Sequence, residues 1–156
     1  MYDVIRLDTI LDDTTNTKNL DVISLDRVQM QKSRIRHQSK KGYDMGIDLP
    51  VGMTLYNGII LQGDGHIVTI QQMPELVCVI QMPRNVAPST LVLLGHILGN
   101  LHRPIDIQNN QILLPIQDVS EEATFRRILN RLDIDDIAVE MRVFVPHNNA
   151  NVSGHA

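Results

Sequence analysis

The chain has 156 residues, 43% of them hydrophobic, with a formal charge of −4 and a pI near 5.8. That is enough apolar material for one domain or two small ones, and the charge has the wrong sign for nonspecific nucleic-acid binding. With no Trp, two Phe and three Tyr there is no base-stacking platform, and the single cysteine, Cys78, excludes an intrachain disulfide or a multi-thiolate metal site. Apolar runs such as Leu91–Leu94 are too short to cross a bilayer. The N-terminal stretch, acidic at Asp3, Asp8, Asp12 and Asp13, lacks the apolar core of a signal peptide, so a cytoplasmic, reducing setting is expected.

In chain order, the first half reads as β structure. Val4–Leu11 alternates loosely, Asp12–Asn19 is a polar loop, and Asp26–Arg36 alternates as a half-buried strand should, with Val28, Met30 and Ile35 apolar. Lys40-Lys41-Gly42 turns into Tyr43–Leu49 as a hairpin. Pro50-Val51-Gly52, Asn57-Gly58 and Gly63-Asp64-Gly65 are further turns around the short strands Ile59–Gln62 and His66–Gln71. Residues 1–73 are therefore expected to form a small β-rich domain, an antiparallel sandwich or barrel.

Met73-Pro74 marks a change of pattern. Glu75–Met82 is a strand. Ser89–Leu98 is a helix, with Ser89 as its capping residue and Leu91, Leu94, Ile97 and Leu98 on the buried face. Strands Ile105–Gln108 and Ile112–Pro115 flank an Asn109-Asn110 turn. Asp118 and Glu121 are spaced as a variant capping box for a second helix whose apolar face is Phe125, Ile128, Leu129 and Leu132. A last strand runs from Ile137 to Val145. The β-α-β-β-α-β order over 74–146 predicts a ferredoxin-like α+β domain, and residues 147–156, with no apolar period, read as a disordered tail.

One stretch holds the chemistry. In Gly95–Pro104, Gly99-Asn100 is expected to stop the helix in left-handed geometry and Pro104 to prevent its return, which leaves His102 near a surface just past the helix end. Six histidines are present, at 37, 66, 96, 102, 147 and 155. His96 and His102 are separated by about 240° of helical rotation and cannot share a face as an i, i+4 zinc pair does. A two-fold axis near His102 would bring two imidazoles together, and that donor set favours Ni, Cu or Zn over Mg or Ca. His147 and His155 are the candidates for further ligands. His37 and His66 are given no metal role, His96 reads as a packed or partly exposed helix residue rather than a ligand, and Cys78 as a core residue. No nucleophile–base pair or paired carboxylates emerge, so an enzyme is not expected.

These residues carry a resemblance. Gly99-Asn100-Leu101-His102 followed by Pro104 resembles the Gly-Asn-Arg-His segment of the UreE family of urease accessory nickel chaperones. Ser33-Arg34-Ile35-Arg36, Lys41-Gly42-Tyr43-Asp44-Met45-Gly46-Ile47, Leu49-Pro50-x-Gly52, Asn57-Gly58, Arg127-Ile128-Leu129 and Pro146 agree in order, from about Arg34 to Pro146. The resemblance implies a β-rich domain and a ferredoxin-like metal-binding domain. It also implies a homodimer that delivers nickel to the urease apoprotein with accessory GTPase partners, and it places the family's interfacial histidine on His102. His147 and His155 correspond only to the general location of extra tail ligands. Leu101 departs from the family's usual Arg, Val51 from a common basic residue, and neither a histidine-rich tail nor histidines over Ile112–Asp118 are present. Such a chain should hand nickel on rather than store it, and Zn2+ or Cu2+ would bind the same imidazoles in vitro. The rival reading is a non-metal module that binds a protein or peptide at an open β edge. An RNA-binding domain of the same topology is disfavoured by the lack of aromatic residues on Glu75–Met82 and Ile112–Pro115.

Overall fold

The computed structural model describes residues 3–12 and 20–147. The chain divides into two compact units between Met73 and Pro74. It is a mixed α/β protein, rich in strands, with two helices and three sheets among the described residues.

The first unit contains β1 (Ile5–Leu7), β2 (Thr9–Leu11), β3 (Asp21–Leu25), β4 (Arg34–Gln38), β5 (Asp44–Asp48), β6 (Ile60–Gly63) and β7 (His66–Gln72). They form two sheets, β1-β5-β4 and β2-β6-β7-β3. Inward positions recur with the strand period of two, as at Ile23 and Leu25, Met45 and Ile47, and Val68 and Ile70, and bury a common core with Leu7 and Leu61. The sheets are mixed rather than purely antiparallel, because β1 runs parallel to β5 and β3 parallel to β7. Parallel partners need long crossovers. Tight-turn signals report only the hairpins, here β4–β5 and β6–β7.

Asp21–Leu25, which follows the polar loop and which the sequence pattern did not mark, is a strand with alternating burial. Asp26–Arg36 is not a single strand: Gln29–Gln31 forms a 3-10 turn and the ladder begins only at Arg34. The cause is local. Asp26 Oδ1 accepts from the Gln29 amide at 2.7 Å, and Gln29 Oε1 accepts from the Asp26 amide at 2.9 Å. This is a reciprocal capping box written Asp-x-x-Gln, which turns the chain and buries Met30. The loop at 13–19 lies outside the described residues.

The second unit contains β8 (Glu75–Gln81), α1 (Pro88–Asn100), β9 (Asp106–Gln108), β10 (Gln111–Pro115), α2 (Glu121–Asn130) and β11 (Ile137–Arg142). Its sheet has the order β11-β8-β10-β9 with every pairing antiparallel. On one face Cys78, Ile80, Leu114 and Ile137 pack against Leu94 and Leu98 of α1 and Phe125 and Leu129 of α2. On the other face Val77, Val79 and Leu113 are covered by Phe144. The last ladder ends at Arg142 rather than Val145, and 143–147 continues outside it. Helix α1 starts at Pro88, whose missing N–H suits the first helical position; Ala87 is the cap and Ser89 lies inside the helix without a capping role. Leu91, expected on the buried face, is 50% exposed.

Gly63 tests the packing of the first unit. A Cβ built there would lie 1.8 Å from the Arg6 carbonyl oxygen, in backbone that cannot yield as a side chain would. Gly65, at φ +76° in the β6–β7 turn, has open space around it. Gly63→Ala should therefore cost about 3 kcal/mol, as overpacking does, and Gly65→Ala only about 1 kcal/mol of backbone strain. Urea midpoints of the two variants should differ in that order; equal midpoints would contradict the close approach of β1 to Gly63.

Candidate metal site

Helix α1 does not stop at Gly99-Asn100. Asn100 is its last helical residue, and Leu101 keeps right-handed geometry at φ −77°, ψ −13°. The left-handed residue is His102 itself, at φ +52°, with its amide donating to the Gly99 carbonyl at 3.2 Å. The expected stop is thus displaced to the candidate ligand. Histidine is among the non-glycine types enriched in this region, but the conformation still opposes the preference of L-residues. His102 is exposed there.

Arg103 fixes this turn from behind. Its guanidinium is paired with Glu121 at the start of α2, donates to the Pro115 carbonyl at 3.3 Å and stands 5.9 Å from the centroid of the Phe125 ring. Glu121 uses its other carboxylate oxygen for the amides of Gln117, at 2.6 Å, and Asp118, at 3.4 Å. Asp118 Oδ1 accepts from the Ser120 amide at 2.8 Å. The Asp118…Glu121 start signal is thus realised, and the same glutamate anchors the His102 turn. The Arg103 guanidinium holds the Glu121 carboxyl below its ordinary value, helped by the two amides and opposed by partial burial. Sequence reasoning missed Arg103, since no spacing rule links it to a glutamate 18 positions away.

The C-terminal segment reaches the same region. Beyond Phe144 the His147 amide donates to the carbonyl of Ile105 at 2.9 Å, three residues after His102. His147, expected within a disordered tail, is therefore held by the fold at the backbone, and His155 lies outside the described residues. Among the described residues no three His, Cys, Asp or Glu side chains cluster as a metal site would require. The structure thus ties the His147 backbone to Ile105, three residues beyond His102, without completing a ligand set among the described residues.

The other donors are placed elsewhere. His96 is exposed on α1, and its Nε2 accepts from Asn100 Nδ2 at 3.3 Å. His37 is half-buried, its Nδ1 donating to the Gln38 carbonyl at 2.9 Å; His66 meets Tyr43 edge-on, with ring centroids 5.0 Å apart. Cys78 is wholly buried, and burial pushes its thiol up to about 11, so it stays protonated and apolar. Nearer its start, α1 exposes Leu91 (50%), Val92 (71%) and Leu93 (53%). No helix among the described residues is long and apolar enough to cross a membrane.

No protein-family model matches the chain. Curated relatives do. The chain is 25% identical over 151 residues to the urease accessory protein UreE of Streptococcus vestibularis, covering 96% of each chain. It is equally similar, over the same length, to the UreE of Streptococcus salivarius strain 57.I. To the UreE of Yersinia aldovae it is 28% identical over 121 residues, covering 72% of this chain and 53% of that one.

Two outcomes test this geometry. His102→Ala and His102→Gly both remove the imidazole, but only glycine relaxes φ +52°, so the glycine variant should be more stable by about 1 kcal/mol in urea unfolding. Equal stabilities would contradict a left-handed residue at 102. Below the ordinary glutamate value of 4.5 the unfolded chain binds the proton that Glu121 resists. The stability from Arg103–Glu121 should therefore be complete above that value and lost as pH falls through the lower folded-state value. Glu121→Gln should lose less stability than wild type between about pH 5 and about pH 3; an unchanged acid limb would contradict the pairing.

Proposed function

We propose that this chain, which belongs with the urease accessory proteins of the UreE family, is a nickel metallochaperone that carries the ion as cargo for maturation of the urease active site, and not an enzyme. The observation that carries the reading is His102, exposed at the end of α1 on a turn that Arg103 and Glu121 hold in place. One imidazole cannot retain a metal, and the described residues supply no cluster of three donors. A second copy related by a two-fold axis near His102 doubles the donor at once. The exposed apolar stretch Leu91–Leu93 on the same helix is material such a contact can use. His147, and His155 from beyond the described residues, are the further imidazoles.

In this reading the second unit is a ferredoxin-like metal-binding domain and the first a β-rich accessory domain, in a cytoplasmic homodimer that works with the urease apoprotein and its accessory GTPase complex. Neutral imidazole accepts Ni2+, and in vitro also Zn2+ or Cu2+. A donor set this small at an exposed turn gives a site that can be opened and emptied, which delivery requires and storage does not.

Nickel titration of wild type beside His102→Ala, with molar mass followed by light scattering in the same samples, tests the reading. The expected result is about one tight nickel per dimer, lost in the variant, and a dimer made tighter by the metal. A chain that stays monomeric with and without nickel, or a tight site that survives His102→Ala, would overturn it and leave the non-metal interaction module.

A further inference from the structure

We infer that Phe144 is a positioning residue: it anchors a short strap, 143–147, that delivers His147 to the His102 turn as a placed ligand rather than a drifting one. The inference rests on the nickel-binding reading above and adds to it the means by which His147 is held.

Three observations carry it. The strap leaves the ladder after Arg142, yet its burial alternates as an extended chain's does: Val143 is 44% exposed, Phe144 2% and Val145 58%. Phe144 turns inward onto the face of the sheet that carries no helix, against Val77, Val79 and Leu113 of β8 and β10. A large ring wholly removed from water here does not complete the main core, which lies on the opposite face; its burial pins the strap to the sheet. Beyond it Pro146 fixes its own φ and holds Val145 extended, so the link from anchor to histidine is stiff. Three residues of extended chain span about 10 Å at most. The far end is then tied by the His147 amide to the Ile105 carbonyl at 2.9 Å.

The strap thus starts on β11, at one edge of the sheet, and ends at the residue that enters β9, at the other edge. His147 arrives three residues from His102 because the chain is pinned at both ends of a stiff link. A ligand so held has already lost most of its backbone freedom before metal arrives, so binding does not bear that ordering cost. Phe144 contributes no donor atom. It acts only through His147.

The test is a double-mutant cycle on nickel affinity in the full chain, by isothermal titration of Ni2+ into wild type, Phe144→Ala, His147→Ala and the double variant. Pro146→Gly is the milder case, since it frees the link without opening a cavity, and His102→Ala is the control. Phe144→Ala should weaken nickel about tenfold, the scale on which loss of a ligand-orienting partner acts. Once His147 is already alanine, the same change should have no further effect. Pro146→Gly should weaken nickel in the same direction, and in the metal-free chain both variants should speed hydrogen exchange at the His147 amide. Phe144→Ala and Pro146→Gly at wild-type affinity, or a Phe144→Ala loss that persists in full without His147, would overturn the positioning role. So would His147→Ala at wild-type affinity. Among these variants, it is His102→Ala keeping the tight site that would overturn the underlying nickel reading instead.

Discussion

Arg103 and Glu121 tie the last turn of α1 to the first turn of α2, and the candidate site depends on that tie. The two side chains are 29% and 25% exposed, in the range where an ion pair alone contributes about 1 kcal/mol or less. Its effect is geometric. One guanidinium meets a carboxylate, the Pro115 carbonyl and the edge of the core at Phe125, so Arg103 has few alternative positions. The neighbouring residue is then held in a conformation it would not choose. His102 sits at φ +52°, outside the helix and in solvent, because its neighbours on both sides are committed: Leu101 to the helix end and Arg103 to α2. Strain stored in this way at an exposed histidine is what a site held by surrounding structure looks like.

The second unit supports the turn from both faces of its sheet. On the helix-covered face Leu94 and Leu98 set the position of α1, and Phe125 and Leu129 that of α2. On the other face Phe144 occupies ground that no helix reaches. Residues 143–147 are therefore not a simple tail, since they are tied to the fold through Phe144 and the His147 amide. The arrangement suits a carrier. The proposed donors, His102 and His147, stand on an exposed turn and beyond the last strand, while the buried Cys78 and the half-buried His37 and His66 are engaged in packing and local hydrogen bonding.

Much of this was legible in the sequence where physics is local. The turns at Gly42, Gly52 and Gly58 and the Asp64-Gly65 hairpin are written in residues that tolerate positive φ, and all of them turn. The amphipathic period of α2 and its acidic start were equally plain. What failed was non-local or masked by pattern. Parallel pairing of β1 with β5 and of β3 with β7 leaves no signature in neighbouring residues. The alternation of Val28 and Met30 imitated a strand, while the Asp26–Gln29 box, visible in the same residues, turned the chain instead. Val143 and Val145 alternate with Phe144 as in a strand, yet the ladder has already ended at Arg142. At the site itself, Gly99-Asn100 supplied a good reason to end α1 early. The helix runs on because the burial of Leu98 and the packing of Leu101 reward another turn, and the stop then falls on His102. The resemblance pointed to His102; the sequence did not reveal that Arg103 holds its turn.

The central claim is that one metal is shared by His102 from two copies, and mixed dimers test it most directly. Wild-type chains and mass-tagged His102→Ala chains can be exchanged, loaded with nickel and weighed intact by native mass spectrometry. The account predicts nickel on wild-type dimers, none on variant dimers, and mixed dimers that lose it at concentrations where wild type stays loaded. Mixed dimers as fully loaded as wild type, or nickel riding on monomers, would contradict a shared site.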